Sequence, residues 1–267
     1  MEEQERYPYS LRVMLEENAY QNILDSNMFS AYIPEDLPVP RIDDPRKTQE
    51  SGSGMPRHPG YVRSAQINQI FTYIGFIKRT DNSAYREYLP LLFDALKQFL
   101  KVFEEIVYSL DVSITQEIYV EQKEGFENFL ASYDAQTRNR IAWIEDIWKQ
   151  QKLYLENMDM LVETLRLRGQ VFDCKQDPFC KTIVTFCKDS MENTDSDCPS
   201  ETDFNFVANC CAKAAQDNIP KTIWSGDFHI VKILENLYSN HSGLKKDLPE
   251  VMLRAGYGPR CYTQLFP

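Results

Sequence analysis

An all-α protein is the fold class this sequence predicts. Its form would be a helical bundle or long antiparallel helical hairpin, with an extended Pro-rich arm and a small Cys-containing helical hairpin. Three observations predict it. The 267 residues include only 10 glycines, few for a sandwich, a barrel or a Rossmann-type fold with many tight turns. Leu, Glu, Gln, Lys and Ala crowd the middle of the chain, and those side chains favour helix. Apolar side chains then recur every three to five residues over long stretches, the period of one helix face.

The elements follow in order. Residues 1–33 form an N-terminal helical segment, with Leu11, Leu15, Tyr20, Ile23, Leu24 and Met28 as its stripe. Pro34 ends it, and 34–60 is a Pro/Gly/Ser-rich arm with prolines at 34, 38, 40, 45, 56 and 59. Proline at that density denies the backbone both helix and central strand. The arm is either a tether or a strap along a partner, with Ile33, Leu37, Val39 and Ile42 as anchors.

Residues 61–172 make the helical body. A helix over 61–78 presents Ile67, Ile70, Phe71, Ile74 and Ile77. Asp81, Asn82 and Ser83 offer caps for the next helix, 84–110, whose apolar face runs from Leu89 to Val107 and whose Pro90 kinks its start. Ser113 and Gln116 fit a capping box. The helical pattern after them reaches about residue 168, roughly 80 Å if unbroken at 1.5 Å per residue. Gly125 and the polar Asp134–Thr137 stretch are the places where it would divide.

Residues 173–218 read as an acidic, Cys-rich helical hairpin. Eight acids stand against three lysines over 173–203, a net charge of −5. Asp177-Pro178 starts one helix, and Ser200 with Asp203 has the capping-box pattern for a second. Antiparallel pairing brings Cys187 near Cys198, and Cys180 near Cys210 or Cys211. These five are the candidate structural disulfides; the outer bridge would close about thirty residues, worth on the order of 3–4 kcal/mol. The close Cys-x2-Cys pairs of zinc sites are missing. The acidic stretch Asn193, Asp195, Asp197 lacks the glycine and glutamate of a calcium loop.

With Cys174-x5-Cys180, the acidic loop before Cys198 and Ser200-Glu201-Thr202-Asp203-Phe204-Asn205-Phe206 before Cys210-Cys211, this segment resembles the disulfide-stapled helical hairpins of mitochondrial intermembrane-space proteins. The acidic hinge subunit of the cytochrome bc1 complex is the nearest in kind. The resemblance covers about forty residues and departs from the paired Cys-x9-Cys spacing of that group. It implies a supernumerary, non-catalytic subunit of a respiratory complex, oxidised after import. The other reading of the same cysteines is reduced, buried thiols packing as small hydrophobes.

Residues 219–267 hold C-terminal helices and an aromatic tail. One helix runs over 227–238 with Ile230, Ile233, Leu234 and Leu237 inward, and a short one starts at Asp247 and stops at Gly256. Tyr257, Tyr262, Leu265 and Phe266 form a candidate docking tail, seated on the chain's own body or on a neighbour.

Charge and motifs then bound the function. A net charge of −11 repels phosphate backbones, so no nucleic-acid partner is expected. Neither a signal peptide nor a transmembrane span is expected, since 67–77 is too short and 89–110 is broken by charges. His58, His229 and His241 lack a patterned nucleophile, and no phosphate loop, Gly-x-Ser-x-Gly elbow or Glu-x-x-His pair is present. The expectation is a protein without catalytic residues, cofactor or metal, whose partners are other protein subunits. It would be a non-enzymatic structural or accessory subunit of a large assembly: a respiratory complex, a ciliary or cytoskeletal lattice, or a virus particle. A stand-alone helical adaptor is the alternative. Oxidised cysteines would place it at the intermembrane-space face of a complex; reduced ones, in cytoplasm, cilium or virion.

Overall fold

The structure is a computed structural model that describes residues 14–16, 21–32, 61–63, 83–136, 142–191, 198–239, 243–244, 246–257 and 260–267. The Pro-rich arm, the body of the expected 61–78 helix and the acidic loop 192–197 lie outside these residues.

The all-α expectation is overturned by a six-stranded mixed sheet. In chain order the elements are β1 (Asn22–Leu24), β2 (Ser30–Tyr32), β3 (Tyr61–Arg63), α1 (Ser83–Ser109), β4 (Val112–Thr115), α2 (Gln116–Gln136), α3 (Ala142–Leu167) and β5 (Val171–Phe172). They continue as α4 (Pro178–Met191), α5 (Glu201–Asp217), β6 (Lys221–Ser225), α6 (Phe228–Tyr238), β7 (Val251–Tyr257) and β8 (Arg260–Phe266). The protein is therefore α/β.

The helices expected at 84–110 and 227–238 match α1 and α6 closely, because their stripes are long and capped. The long helical pattern expected after 114 is two helices, α2 and α3, and α2 ends at Gln136, within the polar Asp134–Thr137 stretch named as a place for a break. Gly125 sits inside α2 with open space around it, and does not divide it. Of the helical segment expected over 1–33, residues 14–16 are helical, but from Asn22 the chain runs as β1, a 3-10 turn over Ser26–Phe29, and β2. Ser113, Ile114 and Thr115 belong to strand β4 rather than to a helix cap, and Tyr61–Arg63 is a strand. The short helix expected from Asp247 to Gly256 is replaced by β7.

The physical reason is length. Strands of three to five residues that are largely buried, as β1, β4 and β6 are, appear as short apolar runs that a helical stripe absorbs. All of β1 is buried, and Asn22 keeps its place there because its amide is satisfied. Trp224 Nε1 donates to Asn22 Oδ1 at 2.7 Å, and Asn22 Nδ2 donates to the Asp111 carbonyl at 3.1 Å. A buried polar group so paired avoids the desolvation penalty of an orphan.

Contacts divide the chain into two compact units. One comprises Met1–Pro8, Phe29–Phe103 and Gln122–Met160. It holds the antiparallel β2–β3 pair, a cluster of Phe29, Phe99 and Phe103 with ring centroids 4.9 and 5.6 Å apart, and a 2.6 Å ion pair of Lys123 with Asp159. The other comprises Tyr9–Met28, Glu104–Glu121 and Leu161–Pro267, and it contains the sheet.

The strand order of that sheet is β5-β4-β1-β6-β7-β8. Neighbours are parallel from β5 to β7, and β8 returns antiparallel to β7. The chain builds outward from β1 through β4 to β5, then crosses back to the other side of β1 to lay down β6 and β7. Strand order thus reverses between β1 and β6. In open α/β sheets ligands bind at such a switch point, outside the carboxyl ends of the strands.

Candidate active site

The two strands flanking the switch point end in polar residues. After Leu24 come Asp25, Ser26 and Asn27; after Trp224 come Ser225, Gly226 and Asp227. Register ties the two ends together, with Leu24 opposite Trp224 and the Asp25 amide donating to the Trp224 carbonyl at 2.9 Å. Asp25 and Asn27 are each only 8% exposed, and Ser225 is fully buried.

Asp25 is held by a fixed set of donors. Its Oδ1 accepts from the Ser26 amide at 2.6 Å. Its Oδ2 accepts from Ser225 Oγ at 2.6 Å and from Asn27 Nδ2 at 2.8 Å. Asn27 is itself oriented, because its Oδ1 accepts from the Gly226 amide at 2.7 Å. Ser225 Oγ accepts from the Asp227 amide at 2.9 Å. The 3-10 turn after β1 brings Asn27 back over the strand end, so two strand termini share one hydrogen-bonded network.

Two further carboxylates face this network. Asp227 caps α6, with Oδ1 accepting from the His229 amide at 2.9 Å. Asp203 occupies the first turn of α5, where its Oδ2 accepts from Ser200 N–H at 2.7 Å and Ser200 Oγ at 2.8 Å, completing the expected capping box. His229 Nδ1 lies 3.5 Å from Asp227 Oδ1 and 3.7 Å from Asp203 Oδ2, so both acids flank one imidazole. Thr115, 1% exposed, closes the carboxyl end of β4 beside β1.

The electrostatics follow. Burial pushes Asp25 up from 3.8 to about 6, against the hydrogen bonds from Ser225 and Ser26 that favour the carboxylate; the negative charges of Asp227 and Asp203 push it further up. A buried acid surrounded by acids holds its charge at a cost, and perturbed groups of this kind cluster at functional sites. Among the described residues no three His, Cys, Asp or Glu side chains close into a metal cage. Mg²⁺ needs no such cage: it keeps several waters and takes one or two carboxylates together with substrate phosphate. Asp25 and Asp227 are the carboxylates such an ion would meet at the switch point, where both already accept hydrogen bonds.

The candidates named from sequence lie elsewhere. Cys180 and Cys187 sit on α4, Cys210 and Cys211 on α5, and Cys198 in the connection between them; all five are thiols here. The hairpin is antiparallel, as expected. Gln216 near the end of α5 donates to Asp177 before α4 at 2.7 Å, and Lys188 near the end of α4 reaches Glu201 at the start of α5 at 2.7 Å. Burial raises the Cys180, Cys187 and Cys211 thiols to about 12 and Cys210 well above its usual value, so these groups pack as core. Of the tail, Tyr257 ends β7, while Tyr262, Leu265 and Phe266 lie on β8, which pairs with β7 of the same chain. Phe266 is buried against Tyr238, with centroids 5.2 Å apart, and Leu265 is half exposed.

Sequence reasoning missed Asp25, Asn27, Ser225 and Asp227. One signal was available: in Ile23-Leu24-Asp25 and Ile223-Trp224-Ser225-Gly226-Asp227 a short apolar run is followed by an acid at once or within three residues. Asp203 was seen only as a cap, and His229 only as a histidine without a patterned nucleophile. No protein-family model matches the chain, and neither a curated protein nor a solved structure matches it.

Proposed function

We propose that this protein is a divalent-cation-dependent hydrolase of phosphate esters, with a phosphodiester of single-stranded nucleic acid as its substrate class. The observation that carries this is Asp25, buried at the sheet's switch point with the negative charges of Asp227 and Asp203 acting on it. A carboxylate cluster repels phosphate, so it acts on phosphate only through a cation lodged between them. When bound, that ion supplies charge neutralisation and Lewis-acid polarisation.

The chain's own residues do the rest. Asn27, Ser225 and the Ser26 amide hold Asp25 in one orientation, which is the pre-organisation a site needs before substrate arrives. The α6 N-terminus, capped by Asp227, presents backbone amides that favour an anionic group. Phe228, one residue beyond Asp227, is 68% exposed and offers a flat apolar face on which a nucleobase can stack. The net charge of −11 argues against steering by bulk charge, and leaves affinity to this local arrangement.

This reading is preferred to the non-enzymatic subunit expected from sequence, because a structural role gives no reason to bury an acid among acids. The second reading, an assembly subunit, is favoured by the exposed apolar Leu153 and Met160 on α3, at 59% and 50%. The test is cleavage of a fluorescent single-stranded oligonucleotide in Mn²⁺ or Mg²⁺. Expected are activity abolished by chelation and a loss on the order of 100-fold in Asp25→Asn. Cleavage indifferent to both, or absent in the wild type, contradicts it.

A further inference from the structure

The two edge strands of the six-stranded sheet are unequal. β5 is two residues long, whereas β8 has seven. Among the described residues β8 has a neighbouring strand, β7, on one side only. Proteins guard such an edge by keeping it short, or with lysine, proline or a bulge, because its backbone otherwise templates another strand. β5 is guarded by its length; β8 has no lysine, no proline and no bulge. Its register with β7 runs one-to-one from Tyr257↔Arg260 to Val251↔Phe266, and residues 261–266 carry no charge. Phe266 is buried, while Thr263 and Leu265 lie exposed on the opposite face of the strand.

We propose that β8 is the dimer interface of this protein, pairing antiparallel with β8 of a second copy about a twofold axis through Thr263. Two features of the strand favour a second copy as its occupant. The first is charge. At a net −11 two copies repel over most of their surfaces, but residues 251–266 contain Arg254 and Arg260 and no acid, so this ribbon is a place where an acidic protein can meet itself. The second is self-complementarity, which a twofold interface requires. Pairing about Thr263 sets Thr263 against its own twin, Gln264 against Tyr262, Leu265 against Cys261 and Phe266 against Arg260. Threonine opposite threonine is a favourable cross-strand pair, and no like charges stand directly opposite. The two Arg260 residues fall six positions apart along the ladder, roughly 20 Å, well beyond the screening length at physiological salt.

The experiment is sedimentation velocity of the full chain at micromolar concentrations in reducing buffer, on wild type, Thr263→Glu and Thr263→Gln. Arg254 reaches the Thr263 hydroxyl within the chain, so a glutamate there keeps an intramolecular partner, yet it faces its own copy across the axis. Thr263→Glu is expected to weaken the dimer on the order of tenfold, while the neutral Thr263→Gln stays dimeric. In a second arm Thr263→Cys is treated with diamide, which takes one hydrogen from each of two thiols as they join. A covalent dimer is expected there and not in wild type, since residues opposite each other on paired strands lie within disulfide reach. A wild type that is monomeric throughout overturns the inference. So does a dimer that Thr263→Glu leaves intact and Thr263→Cys does not cross-link, which places the contact elsewhere on the surface.

Discussion

Where β1 and β6 begin, Lys221 is only 4% exposed, yet its ammonium meets Asp217 Oδ2 at 2.5 Å and the Gln21 side chain. Lys213 reaches the other oxygen of Asp217 at 3.0 Å. Partial burial pushes the Asp217 carboxylate up, but the bonds from Lys221 and Lys213 hold it below its usual value. Where the same two strands end, Asp25 is as deeply buried, and the charges that act on it most are the carboxylates of Asp227 and Asp203. One edge of the sheet pairs its charges; the other gathers charges of one sign. The first arrangement stabilises the fold, while the second is strained until something positive arrives. Such strain is what a binding site looks like before its ligand binds.

The contrast can be broken by substitution. The largest effect is expected in Asp227→Asn, which leaves the α6 cap in place and removes one carboxylate from the site: metal-dependent cleavage falls on the order of 100-fold, read from initial rates. Next comes Asp25→Asn at the same edge. Because the folded pKa of Asp25 lies above its unfolded 3.8, at about 6, ionising it opposes folding. Wild-type stability should fall as pH rises through that window and stay lower above it. The penalty is roughly 3 kcal/mol above pH 6. Allowing about 1 kcal/mol for the lost bond to Asn27, Asp25→Asn gains roughly 2 kcal/mol at pH 8, and the gain vanishes below pH 4. Urea unfolding at both pH values checks it.

At the opposite edge the sign reverses. Asp217→Asn leaves buried Lys221 with Gln21 alone and should destabilise by about 1–2 kcal/mol, a figure reduced because Asp217 is partly exposed. The smallest effect is expected from Ser200→Ala. It removes the cap of α5, about 1 kcal/mol, and frees Asp203 from its 2.8 Å bond, so Mn²⁺ affinity falls only a few-fold.

What was legible in the sequence divides along the same physical line. The long amphipathic helices α1 and α6, the capping box of Ser200 with Asp203 and the start of α4 at Asp177-Pro178 could be read directly, because each rests on contacts within one turn or one face. β1 could not. Three buried residues in a central parallel strand have no alternation to display, and Ile23, Leu24 and Met28 happen to fit a helical spacing. The site was hidden for a related reason. Asp25 and Asp227 are about 200 residues apart, and only the crossing of the chain back past β1 brings their strands together. Asp203 was visible as a cap, but its second neighbour, His229, comes from another helix.

The most direct measurement is the unfolding midpoint of wild type, Asp25→Asn and Asp217→Asn, each with and without saturating Mn²⁺. A ligand that binds only the folded state at 100 times its dissociation constant adds about 2.7 kcal/mol. Wild type and Asp217→Asn are expected to gain on that order, while Asp25→Asn, already relieved of its buried charge, gains little. A wild type indifferent to Mn²⁺, or an equal gain in Asp25→Asn, would contradict the assignment of the switch-point acids as a cation site.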